Sequence, residues 1–109
     1  MTNQLEMLES VRKKTKKKIL YLPHAVRQMS HIDRMISPTE VLKVIEKGEI
    51  IEDYPEDVRG HSCLMLGHGA NDRPVHVVCS PKEDYLAIIT AYLPDSQQWE
   101  NNFKKRKKS

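Results

Sequence analysis

The chain has 109 residues, 39% of them apolar and 30% charged, with a formal charge of +3. That length supports one domain with its own core, and no stretch reaches the roughly 20 apolar residues of a membrane helix. Met1-Thr2-Asn3-Gln4 lacks the apolar segment of a secretory leader, and Cys63 and Cys79 sit inside apolar runs as expected of buried free thiols, so a cytoplasmic protein is expected.

The charge divides the chain into three parts, +4 in residues 1–18, −6 in 19–103 and +5 in 104–109. The expected organisation is a single domain over 1–109, with a basic N-terminal helix, a core and a basic tail. Basic runs at chain ends are either solvated or in contact with a polyanion.

Leu5, Leu8 and Val11 recur at helical spacing and predict an amphipathic helix over 2–17, acidic at its start and basic at its end. Ile19–Leu22 reads as a short extended run. Pro23 opens a second helix that is expected to end near Met35, with Ala25, Met29, Ile32 and Ile36 as its apolar stripe. Ser37-Pro38-Thr39-Glu40 spells a capping box for a third helix, and Gly48 is expected to end it in a left-handed conformation. Four strands follow, at Glu49–Tyr54, Ser62–Leu66, Pro74–Cys79 and Tyr85–Tyr92, with a hairpin-type connection at Gly67–Asp72. Pro94-Asp95-Ser96 is expected to start a last helix that carries Trp99 and Phe103 to the core. The predicted fold is α+β, with N-terminal helices, a four-stranded antiparallel meander and a C-terminal helix.

Two groups of residues can carry chemistry. His24, Arg27, His31 and Arg34 share a polar stripe of the second helix, where guanidiniums can fork onto phosphate; a solvated face is the alternative. On the strands, Arg73, His76, Thr90 and Tyr92 combine a cation, an imidazole and two hydroxyls, with Leu86, Ile88, Thr90 and Tyr92 expected on one face. That set can cleave RNA, because RNA carries its own nucleophile and needs only proton transfer and charge neutralisation. The alternatives are a satisfied core histidine at His76 and, for Arg73, a salt bridge to the acidic 49–57 segment. His61, Cys63, His68, His76 and Cys79 lack zinc-site spacing, so neither metal nor cofactor is expected. Lys13, Lys17, Lys105 and Arg106 would add affinity for RNA without sequence preference.

His24-Ala25-Val26-Arg27, Arg34, Ser37–Gly48, Glu49–Tyr54, Arg73–Val78, Ile89–Tyr92, Pro94, Trp99 and Lys105-Arg106-Lys107 together resemble the domain-of-unknown-function 4258 family. That family is similar to the RelE- and MqsR-type toxins. The resemblance covers residues 19–107 and implies a compact sheet with helices on one side, an RNA-facing surface and a protein antitoxin as partner. The expected function is a metal-independent endoribonuclease with His24, Arg34, Arg73, His76, Thr90 and Tyr92 as catalytic residues. Arg27, His31, Lys13, Lys17, Lys105 and Arg106 would bind RNA. The alternatives are a non-catalytic RNA- or ribosome-binding module, and a protein-interaction module that docks through the acidic 49–57 strand.

Overall fold

The computed structural model describes residues 4–108, so residues 2 and 3 of the predicted first helix lie outside them. Helix α1 (Gln4–Thr15) is followed by β1 (Ile19–Tyr21), α2 (Pro23–Met29) and α3 (Pro38–Lys47). Strands β2 (Glu49–Tyr54), β3 (Ser62–His68), β4 (Pro74–Pro81) and β5 (Leu86–Tyr92) complete the sheet. The fold is α+β, as expected, but the sheet is mixed and five-stranded, in the order β1-β5-β4-β3-β2. β1 joins parallel to β5, and the other neighbours are antiparallel. Three residues between Lys16-Lys17-Lys18 and Pro23 are too short to announce a strand; β1 exists because β5 offers it an edge.

All three helices pack on one sheet face. Met7 and Val11 from α1, Ala25 and Met29 from α2, and Val41, Val44 and Ile45 from α3 meet Cys63, Met65, Val75, Val77, Cys79, Leu86 and Ile88. α1 is thus part of the core, on a stripe shifted from the expected one: Leu5 is exposed and Met7 is buried. Arg12 of α1 also caps α3, donating from Nε to the Ile45 carbonyl at 2.9 Å and from Nη2 to the Gly48 carbonyl at 3.1 Å. A cation at a helix C-terminus satisfies carbonyls the helix leaves open.

The capping box of α3 forms as predicted: Ser37 Oγ accepts from Glu40 N, and Glu40 Oε1 accepts from Ser37 N. α2 is shorter than predicted and stops at Met29. Residues 31–34 turn, Met35 takes a φ of 45°, and Ile32 points to solvent. The chain must reverse here so that Ser37 can be extended before Pro38, and that need overrides the apolar spacing. Gly48 does not adopt the left-handed cap either. Its φ of −85° and ψ of −170° are extended, because β2 begins at the next residue. Glycine is required there by space: a Cβ would sit 2.4 Å from the Leu66 carbonyl oxygen and 2.5 Å from that of Val44.

β3 is buried from Ser62 to Gly67, so both faces of the sheet are covered. The predicted C-terminal helix is absent. Residues 94–108 instead form a strap of turns over the face away from the helices, with a single bridge between Trp99 and Arg106. Asp95 Oδ1 accepts from Gln97 N and Asn102 Oδ1 from Lys104 N, local bonds that compete with a helix. Five successive cations at 104–108 disfavour one further. Trp99, 2% exposed, is a core anchor as expected, but of the strap.

A methyl group at position 48 meets backbone on both sides, which cannot rotate away. Gly48→Ala is expected to cost about 2–3 kcal/mol, as overpacking does. Gly48→Asn should fare no better in urea unfolding; a tolerated asparagine would restore the left-handed cap.

Candidate active site

The site lies where β5 loses its neighbour. β1 pairs with β5 only over Leu86–Ile88, and α2 runs beside the C-terminal half of β5. A bulge then changes which residues face outward. Cys79 pairs with Ile88 and Val78 with Thr90, so Ile89 is the extra residue. Leu86, Ile88 and Ala91 belong to the helix-side core. Thr90 and Tyr92 therefore face the strap, and the expectation that they share a face with Leu86 and Ile88 is corrected. A matching irregularity at Ile51 in β2 sets Glu52 opposite Leu64 and Tyr54 opposite Ser62.

His24, Arg34, Thr90 and Tyr92 come together in one open cleft of about 350 Å³. Gln28, Trp99 and Arg106 also line it. Arg34 is steadied by Gln28, whose Oε1 accepts from its Nη1 at 2.8 Å. His24 reaches the cleft from the first turn of α2, where its side chain is exposed.

His76 is the floor behind this cleft, and it is fully buried. Its Nε2 lies 2.9 Å from the Phe103 carbonyl and its Nδ1 3.2 Å from the Tyr92 hydroxyl. A carbonyl can only accept, so Nε2 carries the proton. Nδ1 of the neutral ring is then an acceptor, and the Tyr92 hydroxyl donates to it. Burial pushes the His76 imidazole below its ordinary pKa, against the Phe103 carbonyl and the Glu52 charge, which pull it up. Trp99 packs edge-on against the same ring, with centroids 4.5 Å apart. His76 is the satisfied core histidine of the two readings. Burial likewise raises the Tyr92 phenol, which stays protonated.

Arg106 is held on the cleft rim. Its guanidinium stacks over Trp99, 4.7 Å from the ring centroid. Nε and Nη2 donate to the two oxygens of Glu52 at 2.9 and 3.0 Å. The Tyr54 hydroxyl also donates to Glu52. Burial works against the Glu52 charge, yet Arg106 and Tyr54 hold its carboxyl below the usual range. Burial and Glu52 push the Tyr54 phenol up to about 12. The bidentate pair leaves three of the five guanidinium N–H groups free of Glu52.

Arg73 is not in the cleft. It donates from Nε and Nη2 to both oxygens of Glu40 at 2.9 and 2.7 Å, and Glu40 also accepts from Ala70 N. Arg73 therefore joins the β3–β4 connection to the start of α3, and its partner is not in the 49–57 segment. That connection, predicted as a simple hairpin loop, is a 3-10 turn at Ala70–Asp72 with Asn71 and Asp72 at positive φ. Arg27 and His31 are exposed on or just after α2, and His31 lies 3.6 Å from Asp33. Lys13, Lys17 and Lys105 are exposed. In the acidic 49–57 segment Glu49 pairs with Lys104, Glu52 with Arg106 and Asp57 with Arg59, and Asp53 lies against His61. Cys63 and Cys79 are buried free thiols with sulfurs 3.9 Å apart. Among the described residues no three His, Cys, Asp or Glu side chains group as a metal site, and no helix is long and apolar enough to cross a membrane.

Glu52, Tyr54, Gln28 and Trp99 are the contributors that residue-type reasoning passed over. The only signal for Glu52 and Tyr54 was their alternation on β2, and the bulge at Ile51 decides which way that alternation points. The molecule defined this way is a small α+β domain with an imidazole, two guanidiniums and two hydroxyls around an open cleft at a sheet edge. A model of the family described as domain of unknown function DUF4258 matches residues 21–93, and the chain belongs to that family. No curated protein matches the chain, and no solved structure does. The matched span holds His24, Arg34, Thr90 and Tyr92, whereas Trp99 and Arg106 lie beyond it.

Because the folded state resists protonating His76, the unfolded chain takes up more protons below its own histidine pKa. Stability is expected to be full above about pH 6.5 and to fall as pH drops toward the depressed folded value. Urea unfolding at pH 8, 6.5 and 5 checks this. His76→Gln should be less stable throughout but should flatten the arm between pH 6.5 and 5.

Proposed function

We propose that the protein is a metal-independent endoribonuclease of the RelE- or MqsR-like toxin type, acting on RNA in the cytoplasm and held in check by a protein antitoxin. The supporting observation is the convergence of His24, Arg34, Thr90 and Tyr92 with Arg106 in one cleft. His24, the accessible imidazole there, serves as general base or acid. It takes the proton from the 2′-hydroxyl, which attacks the adjacent phosphorus to give a 2′,3′-cyclic phosphate; the P–O5′ bond breaks, and the imidazolium of His24 returns that proton to the leaving 5′-oxygen. Arg34 and Arg106 neutralise the non-bridging oxygens as charge builds on the phosphorane, where fixed donors are worth most. Glu52 and Trp99 fix the Arg106 guanidinium before substrate arrives, which spares its ordering cost.

The roles of the remaining residues follow from hydrogen-bond direction. The Tyr92 hydroxyl donates its hydrogen bond to His76, so its oxygen turns to the cleft as an acceptor, suited to a substrate hydroxyl. His76 is a positioning residue: it touches no solvent and sets the direction of the Tyr92 hydroxyl. Thr90 offers a second hydroxyl to orient the phosphate. Arg73 supports the fold through Glu40 and takes no part in the chemistry.

Cleavage of a fluorescent RNA is expected to fall at least about 100-fold in kcat for His24→Ala, the usual scale of general acid–base catalysis. Arg106→Lys should lose activity as well, since one ammonium cannot keep the forked Glu52 pair and still serve a phosphate. Arg73→Ala should keep kcat near the parent value while lowering the unfolding midpoint, through the buried Glu40 left unpaired. Undiminished cleavage by both His24→Ala and Arg106→Lys would remove the cleft from the mechanism.

A further inference from the structure

A second cationic feature begins next to the cleft and leads away from it. Lys104 lies two residues before Arg106, and two residues of chain span at most about 7 Å. Lys104 lines a groove of about 520 Å³ on the other side of the strap, together with Lys43, Lys47, His68 and Phe103. Lys43 and Lys47 are one turn apart on α3, so they share a face. Lys47 also lines a further groove, of about 320 Å³, between α1 and α3, where it meets Lys16 and Arg12. The two grooves share Lys47 in their linings. Five cations line them, of which Arg12 is bound to the α3 carbonyls and Lys104 is paired with Glu49, so Lys16, Lys43 and Lys47 carry the path, beside the carboxylates Glu46 and Asp72.

We infer that these two grooves, from Lys104 past Lys43 and the shared Lys47 to Lys16, bind the flanking nucleotides of a single-stranded RNA whose scissile bond lies in the cleft. The inference rests on the endoribonuclease reading for the contents of the cleft, while the path itself is a binding surface. The chemistry fits a polynucleotide. Lysines at intervals along a groove follow a phosphate backbone without reading bases. Phe103 is half-buried in the wall of the first groove, with Asn101 and Asn102 beside it, and so offers one base an aromatic face and amide edges. Phe103 sits at a φ of 60°, a conformation an aromatic residue rarely takes, and its carbonyl is bound by His76. The same residue thus anchors the strap and lines the path. Lys16, the residue after α1, is exposed at the far end of this path.

The test uses the full chain and a labelled, unstructured RNA of about 12 nucleotides. Binding is followed by anisotropy over a salt series, and a dinucleotide substrate reports the cleft alone. Lys16→Ala/Lys43→Ala/Lys47→Ala is expected to weaken binding of the long RNA roughly tenfold and to reduce the salt slope by about 2, as three lost phosphate contacts require. Its KM for the long RNA should rise with kcat unchanged, and its dinucleotide kinetics should match the parent. Glu46→Gln, which removes a carboxylate from the path, should tighten binding. A triple variant that binds the long RNA with the parent's affinity and salt slope overturns the path, whatever His24→Ala does to cleavage. A parent chain that binds but never cleaves, with the same loss in the triple variant, keeps the path and removes the nuclease reading. Equal affinity of the parent for a polyglutamate peptide of the same charge would assign the surface to an acidic protein instead of RNA.

Discussion

The hydrogen bond from His76 Nε2 to the Phe103 carbonyl, 2.9 Å long and wholly inside the molecule, is the contact on which the outer half of the structure depends. β3 and β4 are buried on both faces, so the face away from the helices needs a cover. Among the described residues the segment after β5, which is polar and strongly basic, supplies it. Such a segment cannot cover a sheet by apolar burial alone. It is pinned by Trp99 against the His76 ring, by the Phe103 carbonyl on the His76 nitrogen, and by Arg106 and Lys104 on two carboxylates of β2. The cost of burying an imidazole is offset because both of its nitrogens are satisfied and the ring stays neutral.

The geometry of the cleft and the stability of the fold are coupled through that pin. Holding Nε2 to the carbonyl makes Nδ1 an acceptor, which aims the Tyr92 proton inward and its oxygen outward. Covering the sheet with the strap also puts Arg106 on the rim of the cleft and Lys104 in the next groove. A cationic tail is in this way divided into one guanidinium that is fixed by Glu52 and several ammonium groups that remain exposed. Fixed donors suit a transition state, and mobile cations suit non-specific affinity.

Much of this was legible from residue order. The capping box at Ser37–Glu40, the four long strands and the buried thiols follow from local rules that tertiary contacts did not need to override. His24, Arg34, Thr90 and Tyr92 were legible as chemically able residues, and the fold brings them together. Arg73 was misplaced because a guanidinium gives no hint of its partner in sequence, and Glu40 was already accounted for as half of a capping box. The second helix was over-extended and the C-terminal helix does not form, because spacing at 3.6 residues counts apolar positions without asking whether a helix there has anything to pack on.

The sequence by itself determined the class of fold, the ends of α3, the apolar strands and the supply of cations at both chain ends, because each depends on neighbours within a few residues. Tertiary structure decided the rest. It added β1 to the sheet through the edge that β5 offered, and it chose the stripe by which α1 packs, through Met7, Val11 and the Arg12 cap. It also flipped the outer half of β5 at Ile89, so that two hydroxyls face the strap instead of the helices. A bulge moves every later side chain to the opposite face, and no pattern of residue types along a single strand reports where its partner strand slips by one.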